Sequence, residues 1–311
     1  MINQNLKDKL KYKRKSDFDD FYSDIETSFS NTLAFHKNQK EGYEIFKPTY
    51  SLFVFIEMLC EPAYINDPTK EILLHEAILE GDKKLIARTY RNLTVADFGK
   101  FETEGQLIKK GLLKGQFTPY LQELYSDAIM LLNNYYLNNY RGCYISLRCV
   151  LEDLYRHFYY SDHMPEFLAV TTEDISEYSI GLGPEFFRKY LSEFSSLKYL
   201  SKYNEKLAPK QGNERDVFGW NKDIYKQTSA YVHASKPIYM SGFARNSDMQ
   251  FEQKQSNRLI DLVRQVMKLS IILLISFHKK HFIQVNNYTK SLVLEVFEKG
   301  IKRNLRQCLN V

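Results

Sequence analysis

The stretch from Thr118 to Tyr160 constrains this chain most: apolar residues recur there at helical spacing through two long runs, separated by a two-residue break. Thr118-Pro119 is a start signal. The hydroxyl is placed to cap free N–H groups, and the proline ring suits the first helical position. From there Leu121, Leu124, Tyr125, Ala128, Leu131, Leu132 and Tyr135 form one apolar stripe. Asn138-Asn139 makes a tight break, and Leu147, Val150, Leu151, Leu154 and Phe158 mark the core face of a second helix over Tyr140 to Tyr160. Two long helices joined by so short a loop must lie antiparallel. No alternating run is long enough to suggest a sheet, so the chain is expected to be all-α.

The same periodicity predicts other helices. Phe18, Phe21, Tyr22, Ile25 and Phe29 share one face behind a capping Ser16. Helices are expected near 49–60, 68–80 and 83–93, broken at Glu61-Pro62 and Gly81-Asp82, with a short helix between loops across the glycines from Gly99 to Gly115. Gly181, Gly183 and Pro184 mark a loop before a helix at 184–205, and Pro209 to Asn213 mark another loop. A helix from Lys222 must end before Pro237, because proline disfavours helical geometry in the preceding residue. Helices at 254–280 and 288–308 complete the pattern. A boundary near residue 115 divides an N-terminal helical region, 1–115, from a larger helical domain, 116–311.

Composition excludes several classes. In 311 residues, 44% hydrophobic and 26% charged content suits a packed core rather than disorder. Cys60, Cys143, Cys149 and Cys308 form no CxxC pair and no zinc spacing. Cys143 and Cys149 lie on different faces of one helix, so reduced thiols and a cytoplasmic location are expected. Charges interrupt Met1 to Ser16, which is unlike a secretory signal. The most apolar run, Leu269 to Phe277, is about half of a bilayer span and reads as a buried helix, so no membrane partner is expected. The net charge of +5 is mild. The basic arm holding Lys7, Lys9, Lys11, Lys13, Arg14 and Lys15 is followed at once by Asp17, Asp19, Asp20, Asp24 and Glu26, and reads as a solvated end held near its acidic neighbour.

Two segments hold residues that could carry chemistry. On the Tyr140 helix, Arg148, Glu152, Tyr155 and Tyr159 form a stripe beside the core face. Arg148 and Glu152 are an i,i+4 pair in the weaker orientation. An arginine there is better explained at a helix–helix seam, as a fixed anion-binding group or a structural clamp. In Thr228-Ser229-Ala230-Tyr231-Val232-His233-Ala234-Ser235, His233 stands in the last turn of its helix, where the dipole favours protonated imidazole, with Ser229 one turn earlier. A lone helical histidine near apolar neighbours is more often structural than catalytic.

An R-x-x-L-E helix after an Asn139-Tyr140-Arg141-Gly142 start, followed some eighty residues later by a Val232-His233-Ala234-Ser235 tetrad, resembles the HEPN superfamily (higher eukaryotes and prokaryotes nucleotide-binding) over roughly residues 118–280. The resemblance implies an up-and-down helical bundle, often a homodimer. Many such proteins are metal-independent ribonucleases of toxin and anti-phage systems, with an R-x(4–6)-H motif facing its copy across the dimer. His233, Arg148 and Glu152 are then the candidate catalytic residues, with Ser229, Arg141 and Tyr155 as candidate substrate contacts. The motif is incomplete: five positions before His233 stands Thr228, and Arg148 would have to supply the cation from another helix. Arg156 to His163 satisfies R-x6-H, but at the end of the R-x-x-L-E helix, and reads as a chance match.

Where such a site exists, its chemistry is clear. Attack by the RNA 2′-hydroxyl needs an acid or base near neutral pKa, and a cation at the phosphorane, which histidine and arginine provide. Neither a metal nor another cofactor is expected. Gly181-Leu182-Gly183 lacks the context of a dinucleotide loop, and His278 and His281 flank two lysines with no carboxylate nearby. Tyr135-Tyr136 and Tyr159-Tyr160 could stack on bases but read as packing. The expected partners are RNA or another nucleic acid, a second copy, and a protein from the same operon. The competing reading is a non-catalytic binding or regulatory subunit of a defence complex.

Overall fold

A computed structural model describes residues 40–60, 119–163, 181–193, 216–233 and 250–309, with single positions between them such as His36, Phe167, Glu177 and Leu207. The helix expected at 16–29, apart from Ser23 and Thr27, which are helical, and the helices expected at 68–80 and 83–93, the glycine-rich stretch after them, the boundary near 115 and the Pro209 loop lie outside the described residues. The described elements are α1 (Lys40–Cys60), α2 (Pro119–Tyr136), α3 (Tyr140–Asp162), α4 (Pro184–Glu193), α5 (Val217–Val232), α6 (Gln253–Phe277), α7 (Lys279–Gln284), α8 (Asn287–Leu294) and α9 (Lys299–Leu309). None of the described residues is in a strand, and the chain is an all-α bundle.

The α2–α3 hairpin is the spine. Leu121, Leu124, Ala128, Leu131, Leu132 and Tyr135 are buried, as the stripe predicts. Half-buried Tyr125 turns its hydroxyl to Glu57 at 3.0 Å. The break works through its two asparagines. Asn138 takes a left-handed φ of 58°, which asparagine tolerates better than most residues. The Asn139 side chain caps α3, accepting from Gly142 N–H at 3.1 Å. A Cβ at Gly142 would lie 2.4 Å from Asn139 Nδ2 and 2.5 Å from Asn134 Oδ1, so both asparagine side chains would have to shift.

Helix α3 packs on α2, α4, α5 and α6. Its residues are therefore buried on more than one face: Leu147, Val150, Leu151, Leu154 and Phe158, but also Cys143, Tyr144, Tyr155, Tyr159 and Tyr160. Helix α6 crosses the same core, with every residue from Leu269 to Ser276 buried. Tyr135 OH meets Ser256 Oγ at 2.7 Å, and Glu252 N–H donates to Tyr140 OH at 3.0 Å, tying the hairpin to the start of α6. Helix α1 packs on α2, α6 and α8 within this one apolar cluster. No described helix is long and apolar enough to cross a membrane. Cys60, Cys143 and Cys149 are free thiols.

Three boundaries differ from the sequence reading. Helix α1 begins at Lys40 and carries Pro48 inside it, buried. Helix α5 begins at Val217, where Asp216 accepts from Gly219 N–H at 2.7 Å. The helix expected at 288–308 is two, because burying Phe297 turns the chain between α8 and α9, with its N–H on Leu294 O at 3.1 Å.

Candidate functional site

Two i,i+4 pairs face each other where α3 meets α5. Arg148 and Glu152 come from the middle of α3, Tyr225 and Ser229 from the second half of α5. Arg148 Nε donates to Glu152 Oε1, Nη1 to Ser229 Oγ and Nη2 to Tyr225 OH. Its guanidinium carbon lies 3.7 Å from the Tyr225 ring centre. The hydroxyls pass their own protons on. Tyr225 OH donates to Glu152 Oε1 at 3.3 Å, and Ser229 Oγ to the Tyr225 carbonyl at 2.7 Å. The Arg148 and Glu152 side chains are only 12% and 18% exposed. Burial pushes the Tyr225 phenol up to about 12, against the pull of Arg148, so it stays protonated at neutral pH.

His233 follows this cluster by one turn. It is the C-cap of α5, its N–H donating to Ser229 O at 3.0 Å, and it is exposed. The rest of its tetrad, Ala234 and Ser235, lies outside the described residues. Thr228, at the position of the motif's arginine, is fully buried, and its hydroxyl donates to Tyr225 O at 3.0 Å. That position faces the core, so no side chain there reaches a shared surface with His233.

The remaining candidates sit around the cluster. Tyr155 is sealed in the core, 1% exposed, its hydroxyl donating to Asn221 Oδ1 at 2.5 Å and its ring 6.0 Å from that of Tyr225. It supports the cluster from inside the bundle. Arg141 stands two turns before Arg148, roughly 10 Å along the axis. It is half-buried, and its buried Nε has no hydrogen-bond partner. Between them, the Tyr144 ring stacks on Tyr231 of α5 at 3.5 Å and 5°.

The second arginine–histidine pair is placed differently. Arg156 is held by Glu177 at 3.1 and 3.2 Å, Asp153 at 3.3 Å and Glu152 at 3.8 Å. His163 caps α3 and stacks on Tyr159 at 4.1 Å. His278 is buried with its Nε2 2.9 Å from His157 Nε2. Among the described residues no three His, Cys, Asp or Glu side chains converge as metal ligands.

Sequence reasoning missed Tyr225, Tyr144 and Tyr231. The signal for Tyr225 was available: it precedes Ser229 by the same four residues that separate Arg148 from Glu152.

Compared with models of known families, with curated proteins and with solved structures, the chain gives no match. The likeness to the HEPN superfamily therefore rests on the motif residues themselves.

Proposed function

We propose that this protein acts on RNA as a HEPN-like toxin or anti-phage protein of a prokaryotic conflict system, cleaving RNA without a metal at the α3–α5 seam. The observation that carries the reading is Arg148 on Ser229, with exposed His233 one turn further along the same helix. A guanidinium has five N–H donors, of which Glu152, Ser229 and Tyr225 take three, so two remain for phosphate oxygens. Glu152 and Tyr225 fix its plane.

In the proposed reaction the His233 imidazole takes the 2′-hydroxyl proton. The 2′-oxygen bonds to phosphorus and the bond to the 5′-oxygen breaks as that oxygen is protonated. The products are a 2′,3′-cyclic phosphate and a 5′-hydroxyl. Arg148 stabilises the phosphorane charge. The resemblance adds a two-fold dimer, which would bring a second His233 to the site as the acid.

A second reading has its own support. Arg148 is already bound on three sides by its own chain, and Thr228 is buried where the motif has arginine. On that reading the seam is a clamp, and the protein is a non-catalytic binding or regulatory subunit working with a protein from the same operon. Expression in a bacterial host separates the two. His233→Ala is expected to relieve growth arrest while leaving the melting temperature unchanged. Undiminished arrest with that variant removes the nuclease reading and leaves the binding subunit.

A further inference from the structure

We propose that α9 presents a phosphate-backbone binding surface for single-stranded RNA, made of Lys299, Lys302, Arg303 and Arg306. These positions stand at i, i+3, i+4 and i+7, so they fall on one helical stripe about 10 Å long. The opposite face docks the helix: Leu305 is 1% exposed and Ile301 packs on the core. Lys299, Arg303 and Arg306 are exposed and Lys302 is half-buried. None of the four has an ion-pair partner among the described residues.

Charge balance around the helix makes this more than a solvated face. No Asp or Glu occurs from Lys299 to the last residue. The two acids just before it are engaged by other helices: Glu295 pairs with Lys47 of α1 at 3.0 Å, and Glu298 with Lys268 of α6. Lys302 feels Glu298 electrostatically without pairing with it. Among the described residues no carboxylate pairs with the stripe. A helix that bound a bilayer would need an outward apolar face, and here that face is buried. A line of cations along one helix face suits a polymer with a charge on every unit, from which Lys and Arg release counterions. The inference rests on the proposed function only for its choice of RNA among polyanions, and does not involve His233.

The test is fluorescence anisotropy with the full chain and a labelled single-stranded RNA across a salt series, on wild type, His233→Ala and the fourfold variant Lys299→Gln/Lys302→Gln/Arg303→Gln/Arg306→Gln. The fourfold variant should bind at least tenfold more weakly at low salt, and its log–log salt slope should be shallower by about 3. The loss on the fourfold variant should be the same when measured in a His233→Ala background, so that it does not depend on cleavage. Arg303→Gln/Arg306→Gln, at two exposed positions, serves if the fourfold variant does not fold, with about half the change in slope. The proposal is overturned if wild type does not bind RNA, if the variants keep its affinity and slope, or if phosphatidylserine vesicles or an acidic peptide bind where RNA does not.

Discussion

Replacing Arg148 with Ala removes the side chain that holds Glu152 of α3 together with Ser229 and Tyr225 of α5. The cost follows from burial. An exposed ion pair contributes at most about 1 kcal/mol, and breaking a buried one costs about 3–5 kcal/mol. At 12% and 18% exposure this pair lies nearer the buried limit. Glu152 is not left alone, since Tyr225 OH at 3.3 Å and Arg156 at 3.8 Å remain. Arg148→Ala should therefore cost about 2–3 kcal/mol, between those limits. Lysine keeps the charge but cannot address three partners in one plane, so Arg148→Lys should recover less than half of that loss. Urea unfolding followed by the single tryptophan reads the effect directly, because buried Trp220 sits on α5 with its Nε1 donating to Gln265 at 3.4 Å. A loss under about 0.5 kcal/mol, the level of an ordinary surface change, would refute the clamp.

Other consequences are as direct. Leu151 is fully buried at the centre of α3, and Leu151→Ala should cost about 2–5 kcal/mol by the same unfolding assay. Asp153 is buried and hydrogen-bonded to Asp127, which pushes its carboxyl well above the ordinary 3.8 despite Arg156 at 3.3 Å. The folded chain then holds a proton that the unfolded chain releases. Stability should fall as pH rises from the ordinary carboxylate range to the raised folded value, and Asp153→Asn should flatten that fall. Light scattering at micromolar concentration should report about twice 36.8 kDa, and a strictly monomeric chain would argue against a site shared between copies.

The hairpin was legible because its signals agree: an apolar stripe of constant phase, and two asparagines where the chain must reverse. Boundaries were less legible where tertiary contacts decide them. The helix expected near 49–60 starts at Lys40 and holds Pro48 buried inside it, where packing on α2, α6 and α8 supports a helix that has lost one N–H. Phe297 continues a helical pattern, yet its burial ends α8 and starts a turn. At the seam, Arg148 and Glu152 were visible as a pair whose chemistry a core face does not need. Spacing alone could not show that Tyr225 and Ser229 would meet Arg148 from a helix 77 and 81 residues on. Nor could it show that Tyr155, on the same stripe, would be spent on Asn221 inside the core.

The most direct test of the proposed chemistry is the product of purified protein acting on single-stranded RNA in the presence of EDTA. Cleavage to fragments ending in 2′,3′-cyclic phosphate and beginning with 5′-hydroxyl is expected, lost in His233→Ala with no change in melting temperature. Intact RNA with wild type, or full cleavage by His233→Ala, would contradict that chemistry.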